Sequence, residues 1–189
     1  VSAKLAPKDP DQVAEKLTEA IRAAVPKSAV EHFKGVVVID SGSSLQIGRM
    51  AIRMIRTVTP LPVVAVFNTH VHGDHWLGNH AFAEAYGAAL PICALPETLA
   101  QVSGHLGQQW RDSMAGWTAQ ASQGTQVVPP NRPVGHGQVL QFGDVSLALH
   151  AYGQAHTNAD LCLQVLQDQV TAVGDIAMSN RIATLDDGS

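Results

Sequence analysis

Cysteine and charge are both scarce in this 189-residue chain. Two cysteines, Cys93 and Cys162, cannot make a disulfide framework. Both lie in apolar, strand-like runs and read as buried thiols, with a single structural bridge as the alternative. Charged residues are 15% of the chain, against about 25% in a typical domain. The formal net charge is -4, and no run of like charge occurs. A nucleic-acid partner is therefore not expected, because binding a polyanion needs clustered Lys and Arg to displace counterions. No apolar stretch approaches the roughly 20 residues that span a bilayer, so no membrane partner is expected either. Apolar residues nevertheless make up 46% of the chain. At this length that suffices for a sizeable core and excludes disorder as a description of the whole. The length argues for one domain over residues 1–189.

Histidine is what the chain has in excess. There are nine, and four fall between positions 70 and 80.

The pattern along the chain places that cluster. Asp9-Pro10-Asp11-Gln12 has the form of a helix start, and Val13, Leu17, Ile21 and Val25 recur at helical spacing. Residues 1–33 thus read as an N-terminal helical segment ended by Pro26. Gly35 to Asp40 and Val63 to Phe67 are short continuous apolar runs, which suit strands buried on both faces. Between them, Leu45 to Val58 carries an apolar helical face behind a Ser-rich cap. Further helices are expected over 75–86 and 96–121, and a strand over Ala88 to Ala94. Two hairpins follow, one turning at Gly143-Asp144 and one at Gln167-Asp168-Gln169. Alternating strands and helices followed by hairpins argue for an α/β layered fold with mixed sheets.

His70-Val71-His72-Gly73-Asp74-His75 follows directly on the second buried run. In extended chain, residues i and i+2 project to one side, so His70 and His72 can share an ion. Gly73 permits a tight turn that carries Asp74 and His75 to a second position nearby. Imidazole nitrogens and carboxylates are ligands of Zn2+ and related ions. At this composition the pattern arises by chance on the order of once in a thousand chains, so accident is the poorer explanation. Two later residues can complete the site. His156 lies in a turn between expected strands, and Asp175 follows a strand end in Val173-Gly174-Asp175. Asp40 has two readings: acceptor for the second N–H of a ligand imidazole, or cap of the turn before the 45–58 helix. His80, five residues past His75 on an expected helix, reads as a support behind the ligands or a surface residue, and His32, His105, His136 and His150 lack ligand spacing. Trp76 reads as core; Trp110 and Trp117, seven apart, read as core or as a lid over a pocket.

The His70/His72/Asp74/His75 motif, Gly153-Gln154-Ala155-His156-Thr157 and Gly174-Asp175 together resemble the metallo-β-lactamase-fold hydrolases. Val38-Ile39-Asp40-Ser41-Gly42 is similar to the strand and turn before the first helix of that family, and the resemblance runs from about residue 35 to the end. Arg181-Ile182 and Asp186-Asp187-Gly188 resemble a branch of quinoprotein-associated zinc hydrolases. The resemblance implies a four-layer αββα sandwich with a two-metal site at one edge. His70, His72 and His156 would hold one ion; Asp74 and His75 would hold the other, with Asp175 bridging. It further implies Zn2+, one or two ions, with Fe as the alternative metal. The family's second ion usually takes a late His in a Pro-Gly-His turn, and no such residue occurs up to Ser189. That absence implies either a chain lacking its closing C-terminal elements or a weakly held second ion.

The implied function is hydrolysis of a small ester, thioester or lactam by a metal-bound hydroxide. Asp74 would orient the nucleophile and take its proton. An Asp at the bridging position is closer to thioesterase-like members than to β-lactamases with Cys there, and β-lactamases with an Asp-His pair stay open. Two rivals remain: an iron-dependent oxygenase on the same scaffold, and a metal-binding domain inactive through loss of the late His. The chain opens on Val1 rather than Met. A removed export signal would do this and would make the protein periplasmic or secreted, a trimmed cytoplasmic chain being the alternative. Oligomeric state is not legible.

Overall fold

The computed structural model describes residues 35–179. The expected N-terminal helix and the trailing residues 181–188 lie outside that range.

Four strands form the first sheet, all parallel and in chain order: β1 (Val36–Ile39), β2 (Val63–Phe67), β3 (Ile92–Ala94) and β4 (Arg132–Pro133). The two apolar runs become its adjacent strands β1 and β2, paired Val38 to Val66 and Ile39 to Phe67. A parallel strand covered on both faces has no solvent side, which is why these runs carry no polar alternation. Helix α1 (Leu45–Val58) joins them. Ser44 caps it, its Oγ accepting from the Ile47 amide at 3.2 Å. Pro60 and Pro62 follow its end.

The helix expected over 75–86 is two short ones, α2 (Gly73–Trp76) and α3 (Asn79–Tyr86). Gly78 separates them, its amide donating to the Gly42 carbonyl at 2.7 Å. A Cβ on Gly78 would collide with the Ser41 carbonyl, so this close approach requires glycine. The helix expected over 96–121 breaks at Gly104 into α4 (Pro96–Ser103) and α5 (His105–Trp117). The expected strand over 88–94 shortens to β3, because residues 88–90 turn away from the sheet.

The second sheet is antiparallel throughout: β5 (Val139–Phe142), β6 (Val145–Tyr152), β7 (Asp160–Val165) and β8 (Val170–Ala172), in chain order. Its hairpins turn where the sequence places them. Parallel and antiparallel pairing are thus divided between two sheets rather than combined within one. Phe67 of the first sheet and Leu149, Leu161 and Leu163 of the second are fully buried in one cluster between the sheets. Each such side chain contributes roughly 1.5–3 kcal/mol of burial. A second cluster packs Leu45, Ile52, Ala81 and Phe82 of α1 and α3 on Val63 and Val66 of β2. Helix, parallel sheet and antiparallel sheet are therefore stacked as layers of the α-β sandwich. Cys93 and Cys162 are buried, free thiols, so the alternative of a bridge is not realised. Among the described residues no helix is long and apolar enough to cross a membrane.

Candidate metal centre

The C-terminal ends of β1 and β2 open at one edge of the sandwich, where helix-covered parallel sheets commonly place their sites. Asp40 leaves β1, and Asn68 to His75 leave β2. The turn between β6 and β7 brings His156 to the same edge. The backbone ties these pieces together. The Asp40 amide donates to the Phe67 carbonyl at 2.8 Å, the Ser41 amide to His75 at 2.8 Å, and the Leu161 amide to Thr69 at 2.9 Å. The last bond stitches the antiparallel sheet to the histidine loop.

Ligand atoms of His70, His72 and His156 lie within 4.8 Å of one another, and all three residues are buried. Ligand atoms of His70, His75 and Asp175 also lie within 4.8 Å of one another, with His75 and Asp175 only partly buried, so His70 belongs to both groups. His72 Nδ1 and His156 Nε2 are 3.0 Å apart. Asp175 spans the groups: Oδ1 is 3.5 Å from His75 Nε2, and Oδ2 is 3.7 Å from His156 Nε2. Asp74 stands to one side, with Oδ2 3.6 Å from His75 Nε2 and its side chain 55% exposed. It joins neither three-residue group. Gly73 begins the single turn of α2, and that turn presents His75 inward and Asp74 outward.

Asp40 accepts three hydrogen bonds. The Thr69 amide donates to Oδ1 at 2.8 Å; the Thr69 hydroxyl donates to Oδ2 at 2.9 Å; His75 Nδ1 donates to Oδ2 at 2.8 Å. The cap of α1 is Ser44, so Asp40 serves the histidine loop instead. Its backbone is left-handed, with φ of 58°, a conformation that Asp tolerates better than most residues and that aims its carboxylate at the loop. Donor counting then assigns protons. A carboxylate only accepts, so the Thr69 hydroxyl spends its one proton on Asp40. His70 Nδ1, 2.9 Å from that hydroxyl, must therefore carry a proton and donate. The lone pair of His70 is left on Nε2, which is buried and has no hydrogen-bond partner. His75 holds its proton on Nδ1 by the same logic, which turns Nε2 toward Asp74 and Asp175.

Burial, with the neighbouring imidazoles of His75, His72 and His156, depresses the His70 pKa to about 2. His75 is pushed the other way. Burial lowers its pKa, but the hydrogen bond and charge of Asp40, with the charges of Asp74 and Asp175, outweigh burial and hold it above 6.5. A neutral buried imidazole with an unused lone pair, facing two more imidazoles and a carboxylate, is a donor set suited to a divalent ion. An unpaired buried nitrogen costs on the order of 1–3 kcal/mol, and a metal would relieve that cost.

Several residues that support the site escape a sequence reading. Thr69 is one; it also packs against Gly174, where a Cβ would meet the hydroxyl at 2.9 Å. Asp160 is another. Its carboxylate accepts from the Thr157 amide at 2.8 Å and the Thr157 hydroxyl at 3.0 Å, closing the turn that presents His156. Asn68 and Asn79 exchange amide hydrogen bonds in the interior, and the Ser41 hydroxyl donates to Asn79 at 2.8 Å. Adjacency to His70 was the available signal for Thr69, and a carboxylate four residues beyond His156 was the signal for Asp160. His80 sits on α3 and accepts from the Gln126 amide at 3.1 Å, away from the cluster. Trp76 is fully buried, whereas Trp117 is 70% exposed, so the core reading of Trp117 is wrong.

The family model of the metallo-beta-lactamase superfamily matches residues 28–188. No curated protein matches the chain. Among solved structures, the metallo-beta-lactamase IND-7 is 21% identical, with a TM-score of 0.61 over 82% of this chain and 60% of that one. A metallo-beta-lactamase from Pontibacter korlensis is 20% identical, with a TM-score of 0.54 over 75% of this chain and 55% of that one. A double mutant of the sec-alkyl sulfatase PisA1 is 19% identical, with a TM-score of 0.60 over 77% of this chain and 27% of that one. These likenesses show a shared fold. The chain spans at most 60% of the length of these three structures.

Proposed function

Because this chain belongs to the metallo-beta-lactamase superfamily, whose members are metal-dependent hydrolases, we propose that it is a zinc-dependent hydrolase of a small ester, thioester or lactam. The observation that carries the reading is His70 Nε2, a buried lone pair without a partner among converging imidazoles. His70, His72 and His156 would hold one ion. Asp74, His75 and Asp175 would hold a second, with Asp175 placed to bridge because its two oxygens face His75 and His156 separately. When bound, such ions supply Lewis acidity toward a carbonyl oxygen and acidify a coordinated water.

The chain's own residues do the rest. Asp40 and Thr69 keep the Nδ1 protons of His70 and His75 pointed away from the cluster, so both Nε2 atoms present lone pairs. Asp160 locks the turn of His156. Asp74, exposed beside His75, can accept a proton from the attacking nucleophile and pass it to solvent. The support for hydrolysis over simple metal storage is this solvent-facing carboxylate beside the imidazole cluster.

Metal analysis of the purified chain, with nitrocefin and thioester hydrolysis measured with and without added Zn2+, tests the reading. His72→Ala is expected to abolish metal binding and hydrolysis together. Hydrolysis that survives this substitution with metal still bound would overturn the ligand assignment. A metal-loaded parent inert toward every ester, thioester and lactam probe would overturn the activity.

A further inference from the structure

We propose that the cavity beside His72 is the recognition pocket of this centre and takes an uncharged aromatic group of the substrate, held by Trp110 and Trp117. The proposal rests on the hydrolase reading of the histidine cluster and adds a substrate class to it. The cavity has a volume of about 480 Å³, within the range of small-molecule sites. Its floor is Val71 and His72, so it adjoins the ligand cluster directly. Its walls come from α5, where Leu106, Trp110 and Trp117 are the apolar lining residues.

The two indoles are arranged as a receptor. Residues seven apart on a helix face one way, so α5 projects both rings to the same side. The Trp110 ring centroid is 5.0 Å from that of His72, and Trp117 meets Trp110 edge to face at 5.8 Å and 77°. Trp117 keeps 70% of its surface exposed. Folding does not need it there, because the core under α5 is filled by Trp76, Val102 and Met114. A large exposed indole at the rim of a cavity next to buried imidazoles is a contact surface awaiting a ligand.

The charge pattern selects a neutral ring. Asp112 is the only carboxylate in the lining, and no Lys or Arg lines the cavity among the described residues. Asp112 is itself paired with Arg111 at 2.7 Å. An anionic group would find no cation in this pocket and one carboxylate. A neutral aryl group finds two indoles, with Gln109 and Ser113 able to bond a carbonyl or amide beside the ring.

The test is ligand-observed NMR titration of the metal-free full chain, so that no probe can ligate an ion. N-benzylacetamide, N-methylacetamide and phenylacetate are the probes. N-benzylacetamide should bind more tightly than both others. Trp117→Ala should weaken it about five- to tenfold, and Trp117→Phe should restore most of the loss. Zinc titration of Trp117→Ala should match the parent, since Trp117 lies outside the ligand cluster. Equal binding of N-benzylacetamide and N-methylacetamide, tighter binding of phenylacetate, or an unchanged affinity in Trp117→Ala overturns the pocket. The two readings fail separately: probe binding without hydrolysis of any substrate refutes the activity alone, and hydrolysis without probe binding refutes the pocket alone.

Discussion

Replacing Asp40 by Asn exchanges one oxygen for an NH2 group at the point where three donors converge. The substitution suits the backbone, since Asn, like Asp, tolerates the φ of 58° at this position. Its chemistry does not suit. An NH2 in place of Oδ1 would face the Thr69 amide, a backbone donor that cannot reverse. An NH2 in place of Oδ2 would face the Thr69 hydroxyl and His75 Nδ1, which can both reverse. Asn is therefore expected to adopt the second orientation. The hydroxyl then accepts from Asn and turns its proton to His70 Nδ1, 2.9 Å away. The proton of His70 moves to Nε2, the atom that the cluster needs bare. His75 changes tautomer in the same way. One substitution outside the ligand set thus misdirects two ligands. Loss of such supporting interactions typically weakens metal affinity by about 10- to 100-fold, or about 1.4–2.7 kcal/mol. The assay is a competition titration of Zn2+ against a chromophoric chelator, with urea unfolding of the metal-free proteins as the control for folding. An Asp40→Asn protein with unchanged zinc affinity would refute the tautomer argument.

Three further outcomes follow from the same geometry. Thr69→Val removes the acceptor of His70 Nδ1 and should lower zinc affinity about tenfold or more, while Thr69→Ser keeps the hydroxyl and stays near the parent in the same titration. In the metal-free protein, His70 must remain neutral when folded but takes a proton below pH 6.5 when unfolded. Stability should therefore fall on acidification from pH 6.5 toward 2, with a contribution of up to about 1.4 kcal/mol per pH unit, and urea titrations should show a shallower slope for His70→Asn. His75 acts oppositely, because its folded pKa is raised: its contribution is full below 6.5 and is lost as pH rises through the higher folded value. Gly78→Ala forces a Cβ into the Ser41 carbonyl and should destabilise by about 1–3 kcal/mol, read as a Tm drop of about 2–4 °C per kcal/mol.

Strands, hairpins and the first helix could be read from the chain because their causes are local. Continuous β-branched runs, a Ser cap and glycine turns act over a few residues, and β2 and α1 end where those signals end. Breaks at Gly78 and Gly104 were harder to place. Glycine alone does not end a helix; at Gly78 the decisive fact is a carbonyl from residue 41, distant in sequence. The fate of the tryptophans was likewise open: spacing puts Trp110 and Trp117 on one face but does not say whether that face meets core or cavity.

For the candidate centre, the sequence by itself supplied the candidate donors, since three imidazoles and a carboxylate within six residues are a pattern that chance seldom produces and their spacing is covalent. Only the tertiary structure decided how those donors are shared. It made His70 common to both groups, turned Asp74 outward and gave Asp40 to Thr69 and His75 rather than to a helix cap. The physical reason is that each of these outcomes depends on a hydrogen bond or contact between segments that only folding brings together. Proton positions on an imidazole are set by such partners, and a linear chain carries no record of who faces whom.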